Sequence, residues 1–141
     1  MYAEKKPSVL VCVTGQYDCE RLILKGYEKA IKKGLDLHVL CIHTPVSNIG
    51  FMSEEIEYLY QKAKSLGADM TIMFNQNAPL CTADFARRIN AKALVTGMPD
   101  NRPNGFVVTV HELLPKLQIT MVTKNNECLT YSVDYTNKTF A

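Results

Sequence analysis

The stretch "VLVCV", Val9 to Val13, constrains the fold more than any other part of the chain. A continuous apolar run rich in β-branched residues suits a strand covered on both faces, whereas a strand with one wet face would alternate apolar and polar side chains. Such a strand belongs inside a parallel sheet. Parallel neighbours need crossover connections, normally helices, so the flanking segments should carry helical periodicity.

They do. After the polar turn "TGQYD", the segment "CERLILKGYEKAIKKG" places Cys19, Ile23, Gly26, Tyr27, Ala30 and Ile31 on one helical face and most of its charges on the other, with Gly34 as a C-terminal stop. "LDLHVLCIHTP" repeats the strand signal, and Pro45 ends it. "VSNIGFM" reads as a loop leading to Ser53 as N-cap; Ile56, Leu59, Tyr60, Ala63 and Leu66 form the next buried stripe, closed by Gly67. "DMTIMF" is a third strand. Asn77 caps the helix that follows, Pro79 suits its first turn, and Cys81, Phe85, Ala86 and Ile89 make its inner face. "KALVTG" is the fourth strand; Phe106, Val110, Leu113, Leu114 and Leu117 predict a fourth helix; "QITMVT" is the fifth strand. This alternation predicts an α/β, three-layer, doubly wound sandwich with a parallel sheet and helices on both faces. The tail departs from the rhythm. Leu129, Tyr131, Val133 and Tyr135 share one parity after the turn residues Asn125 and Asn126, which predicts an antiparallel partner for the fifth strand within the extension 125–141. With no repeat or linker, residues 1–141 read as a single domain.

Composition narrows function. The net charge of +2 includes no concentrated basic block, so the footprint of a nucleic-acid binder is missing. No export signal or membrane span is legible, and the five cysteines are therefore expected as reduced thiols in the cytoplasm. The histidines His38, His43 and His111 lack metal-ligand spacing, and no metal is expected. No GxGxxG, GxxxxGK[ST] or GxSxG motif occurs, and Asp18 and Asp100 are the only carboxylates expected near the strand ends, so no catalytic residues are assigned. Cys12 and Cys41 read as core residues. Cys19, in the first turn of a helix, combines a favourable position for reactivity with a place on the buried stripe.

In an open parallel sheet, ligands bind outside the carboxyl ends of the strands, where strand order reverses. That rule selects Val13, Thr14, Gly15 and Gln16 after the first strand, His43 after the second, and Thr96, Gly97, Met98, Asn104 and Gly105 around the loop "ALVTGMPDNRPNG". Backbone amides at Gly97 and Met98, and at the start of the fourth helix, can face an anion. The competing reading is a glycine that only lets the chain turn.

The opening "VLVCVTGQYDCERLILKGYEKAIKKGLDLHVLCIHTP" resembles the universal stress protein family, and within it the variant domain of the sensor kinases of bacterial potassium uptake, which shares a strand–turn–"ERLI"–helix start. The resemblance follows the element order over residues 7 to 124, with a detailed match only in the opening segment. It implies a five-stranded parallel sheet of order 3-2-1-4-5, dimerisation through the fifth strand and, in many members, ATP binding through G-x2-G-x9-G-[ST] after the fourth strand. Here Gly97 matches the first glycine, but Asp100 and Val110 stand at the second and third, Gly105 being a substitute across a shortened loop; Thr14 stands where many binders carry an aspartate. Asp100 would repel a triphosphate.

The sequence thus predicts a non-catalytic nucleotide-binding or signalling module with a degenerate ATP motif, taking ATP weakly and a less charged adenine nucleotide such as AMP more readily, if any. Two other readings stay open. One is a nucleotide hydrolase or transferase on the same fold, for which only Asp100 and His43 are available; the other is a ligand-free interaction protein. A homodimer through the fifth strand and the tail is expected.

Overall fold

The computed structural model describes residues 6–43, 54–98 and 105–132. Their elements are β1 (Ser8–Val13), a 3-10 turn (Tyr17–Cys19), α1 (Glu20–Lys33), β2 (Asp36–His43), α2 (Glu54–Ser65), β3 (Asp69–Phe74), α3 (Ala78–Arg88), β4 (Ala91–Gly97), α4 (Gly105–Leu113), β5 (Gln118–Val122) and β6 (Cys128–Thr130). The sheet order is β3-β2-β1-β4-β5-β6, with the first five strands parallel and β6 antiparallel to β5. This is the doubly wound α/β fold predicted above, including the extra final strand.

β1 lies at the centre because its residues can be dry on both sides. Val9, Val11 and Val13 pack with Leu22, Ile23 and Ala30 of α1 and Leu59 and Ala63 of α2, while Leu10 packs on the opposite face with Ala86 of α3 and Val107 and Val110 of α4. Val9, Leu10 and Val11 are fully buried. α1 sits close to the sheet at Gly26, where a Cβ would come within 2.2 Å of Val11 Cγ2, so only glycine permits the approach. Gly34, at φ 68°, ends α1 in the left-handed conformation. Asn77 Oδ1 accepts the Leu80 amide at 3.2 Å and caps α3, with Pro79 in its first turn.

Three details differ from the sequence reading. Ile31 is 65% exposed and Tyr60 is 37% exposed, because each lies at the margin of its helical stripe; Leu22 fills the core in place of Ile31. α4 stops at Leu113, so Leu114 and Leu117 lie beyond it, since Pro115 cannot continue a helix and disfavours helical geometry just before itself; Val107 joins Val110 in the buried face. In the tail, Leu129 is exposed, whereas Tyr131 packs against the α3–α4 face and its ring meets His111 edge-on at 5.2 Å. Ser53, Val133 and Tyr135 lie outside the described residues.

Candidate functional site

β1 and β4 are neighbours whose following helices leave toward opposite faces of the sheet: α1 packs on one side and α4 on the other. A crevice must open between those departures. A cavity of about 530 Å³ occupies that position, and six of the predicted residues line it: Val13, Thr14, Gln16, Thr96, Gly97 and Met98. The volume falls within the range of roughly 300–1,000 Å³ usual for small-molecule sites. One wall is apolar, formed by Leu40, Ile42, Ala78 and Phe106.

The remaining predicted residues are placed differently. Gly15 is buried at φ 94° and serves the turn after β1, a conformation other residues rarely adopt. The His43 ring lies beside Gly15 and Ile56 on the α2 side of the sheet, with Nε2 3.3 Å from Cys41 Sγ, and does not line the cavity. Alternation along β2 sends Ile42 toward the cavity, so its neighbour His43 must face away. Gly105 opens α4 and is exposed; its neighbour Phe106 reaches the cavity instead. Asn104 and Asp100 lie outside the described residues.

Gly97 is informative because nothing in the fold demands it. Its φ is not positive, and a methyl group added there would meet Leu22 Cδ1 at 3.7 Å and Arg21 Nη2 at 4.0 Å, both ordinary contacts. Its backbone borders the cavity.

Of the polar groups that also line the cavity, Cys12, Cys19 and Asp18 were noted from the sequence, whereas Thr82, Arg21 and Lys124 were not. Thr82 on α3 is fully buried, and its hydroxyl meets only the Cys12 thiol, a weak hydrogen-bond partner. A hydroxyl so weakly paired has capacity left for a ligand group. Beside it, burial pushes the Cys12 thiol up to about 12, against a weaker opposing pull from the Thr82 hydroxyl. The thiol is therefore neutral at physiological pH. Cys19 also lines the cavity, and its sulfur lies 3.5 Å from the Thr14 amide and 3.4 Å from the Thr14 hydroxyl. Arg21 and Lys124 bring positive charge to the rim, and Asp18 opposes it. The helical pattern put Arg21 off the buried stripe, and no local signal marks a side chain that reaches across to another strand. Among the described residues, no group of three or more His, Cys, Asp or Glu gathers in a metal-holding arrangement. No described helix is long and apolar enough to cross a membrane.

An α/β sandwich with a nucleotide-sized crevice at its switch point is the class these features define. Comparison with known proteins narrows it: by fold, the chain is a universal stress protein-like domain, as its opening segment implied. A universal stress protein solved in complex with cAMP matches at TM-score 0.64 and 15% identity, over 86% of this chain and 99% of that one. The universal stress protein from Archaeoglobus fulgidus in complex with dAMP matches at TM-score 0.57 and 17% identity, over 85% and 98%. In sequence, the chain is 31% identical over 94 residues to the sensor protein KdpD of Mycobacterium tuberculosis, a match spanning 67% of this chain but 11% of that sensor. No family model matches.

Proposed function

We propose that the domain binds an adenine nucleotide bearing less charge than ATP and acts by signalling its presence rather than by turnover. The observation that carries this reading is the cavity between β1 and β4, which combines an apolar wall with the backbone at Gly97; the Met98 amide, expected to face an anion, instead donates to Val122 O at 3.0 Å, because the β4–β5 ladder continues one residue past the strand. The base lies against Leu40, Ile42 and Phe106, and the ribose and phosphate lie toward Thr14, Gln16 and Gly97. Complexes of similarly folded proteins with dAMP and cAMP support a monophosphate. The similarity to a segment of KdpD supports a place in a sensory protein. Enzymatic turnover has less support: of its two candidate groups, His43 faces away from the cavity. Native mass spectrometry of the purified protein tests the reading. A mass increment matching an adenine monophosphate, retained under gentle ionisation and restored by adding AMP to stripped protein, supports it; no adduct at millimolar AMP contradicts it.

A second reading, compatible with the first, is a homodimer through the sheet edge. Its motive is β6, an edge strand whose residues Cys128, Leu129 and Thr130 are all exposed. An edge that is unpaired among the described residues and carries an exposed Leu is suited to pairing with a second copy.

A further inference from the structure

We infer that Arg21, assisted by Lys124, is the subsite for a single phosphate group on the bound nucleotide, an inference that rests on the nucleotide reading above. Arg21 belongs to α1, yet its guanidinium reaches across to β5: Nη1 donates to Val122 O at 3.2 Å and to Thr123 O at 2.9 Å, while Nε donates to Asp18 Oδ2 at 3.3 Å. These contacts fix the plane of the fork. The remaining nitrogen, Nη2, accompanies Gly97 at the cavity and has no acceptor among the described residues. The Arg21 side chain is 19% exposed, whereas Asp18, its counter-charge, is 65% exposed. The cation is thus turned inward and the carboxylate outward, into solvent that screens it.

Helix stability does not explain a cation at this position. A positive side chain in the first turn opposes the helix dipole. The arrangement instead aligns three features toward one anion: a guanidinium already immobilised, the backbone beside Gly97, and the exposed Lys124 lining the same cavity. Immobilisation before binding removes an entropy cost that a free arginine would incur on capture. The single unspent nitrogen limits how many phosphate oxygens the guanidinium can hold. One phosphate satisfies the site.

Calorimetric titration of adenosine, AMP and ATP into wild-type, Arg21→Gln and Lys124→Gln proteins tests the assignment. Wild type should bind AMP at least about tenfold more tightly than adenosine, in keeping with a charge-assisted hydrogen bond. Arg21→Gln should lose that preference, binding AMP no more tightly than adenosine, and Lys124→Gln should reduce it severalfold. Equal binding of AMP and adenosine by wild type, or an AMP preference undiminished in Arg21→Gln, overturns the subsite while leaving nucleotide binding intact. Absence of binding for all three ligands defeats both the subsite and the reading beneath it. Should Arg21→Gln fail to fold, Lys124→Gln carries the decision, since its exposed side chain is dispensable to the core: an unchanged AMP preference there overturns the proposal, and a severalfold loss supports it.

Discussion

The Arg21 guanidinium lies 2.9 Å from the carbonyl oxygen of Thr123, joining the first turn of α1 to the chain leaving β5 across the mouth of the crevice. One side chain therefore fixes the width of the opening between elements about a hundred residues apart in sequence. Gly97 lies beside it, where a Cβ would meet Leu22 and Arg21 at ordinary contact distances, and its backbone borders the cavity. A strut beside such a backbone is an arrangement suited to holding a small anion, and it makes the roles of the two glycines nearest the α1 interface separable.

Gly26→Ala should destabilise the fold by about 1–3 kcal/mol, the usual range for overpacking a filled core. The new methyl would fall 2.2 Å from Val11 Cγ2, too close without moving α1 from the central strand. Chemical denaturation with an unchanged m-value checks it; a loss below about 0.5 kcal/mol, the level of ordinary surface substitutions, would mean that α1 does not approach β1 this closely.

Gly97→Val should behave oppositely. An added Cβ meets ordinary contact distances and the φ is not positive, so the backbone accepts a side chain without strain and the fold is retained, while AMP binding is lost because the isopropyl group fills the approach to the backbone. Undiminished AMP binding by this variant, measured by calorimetry, would remove Gly97 from the site.

The contrast between these glycines shows what the sequence could convey. The period of two or of 3.6 in apolar side chains is a local property, so "VLVCV", the stripes of α1 and α2, and the Asn77 cap were all legible. The strand ends likewise pointed to Thr14, Gln16 and Thr96 to Met98 at the crevice. Side-chain direction in three dimensions was not. His43 was assigned by its place at a strand's end, but alternation along β2 turns it toward α2; Arg21 and Thr82 gain their positions only from long-range packing. Marginal stripe residues such as Ile31 and Tyr60 failed for a related reason, since a helical wheel cannot tell how far the neighbouring sheet extends.

Alkaline pH should destabilise the protein through its buried thiols. Burial pushes Cys12 up from 9.0 to about 12 and Cys41 from 9.0 to about 11, so in the unfolded chain both ionise first. The unfolded state then binds fewer protons than the folded state, and stability falls as pH rises above about 9. The melting temperature of wild type should therefore decline more steeply between pH 8.5 and about 10.5 than that of Cys12→Ala, even though the variant starts lower through its cavity. Parallel declines would contradict the buried, neutral thiol. In the native protein at about pH 7.5, a thiol reagent should label the exposed Cys128 and spare Cys12 and Cys41, because the thiolate is the reactive form.

The sheet edge yields a prediction about assembly. Light scattering should report a dimer for the full chain and a monomer for a chain ending at Lys124, which lacks β6. Leu129→Lys, which places charge on the exposed edge residue, should also favour the monomer without removing the Tyr131–His111 contact. A monomeric full chain, or a dimer unchanged by both alterations, would leave β6 as a cap on its own sheet.

The central claim is that an adenine monophosphate occupies the crevice between β1 and β4. Titrating AMP into isotopically labelled protein while following backbone amide chemical shifts tests it most directly, because each amide reports its own surroundings. The account predicts saturable shifts concentrated at Thr14, Gln16, Gly97, Met98 and Phe106, with Gly67, at the opposite end of α2 from the strand termini, unmoved. Shifts confined to other regions, or none at millimolar AMP, would contradict it.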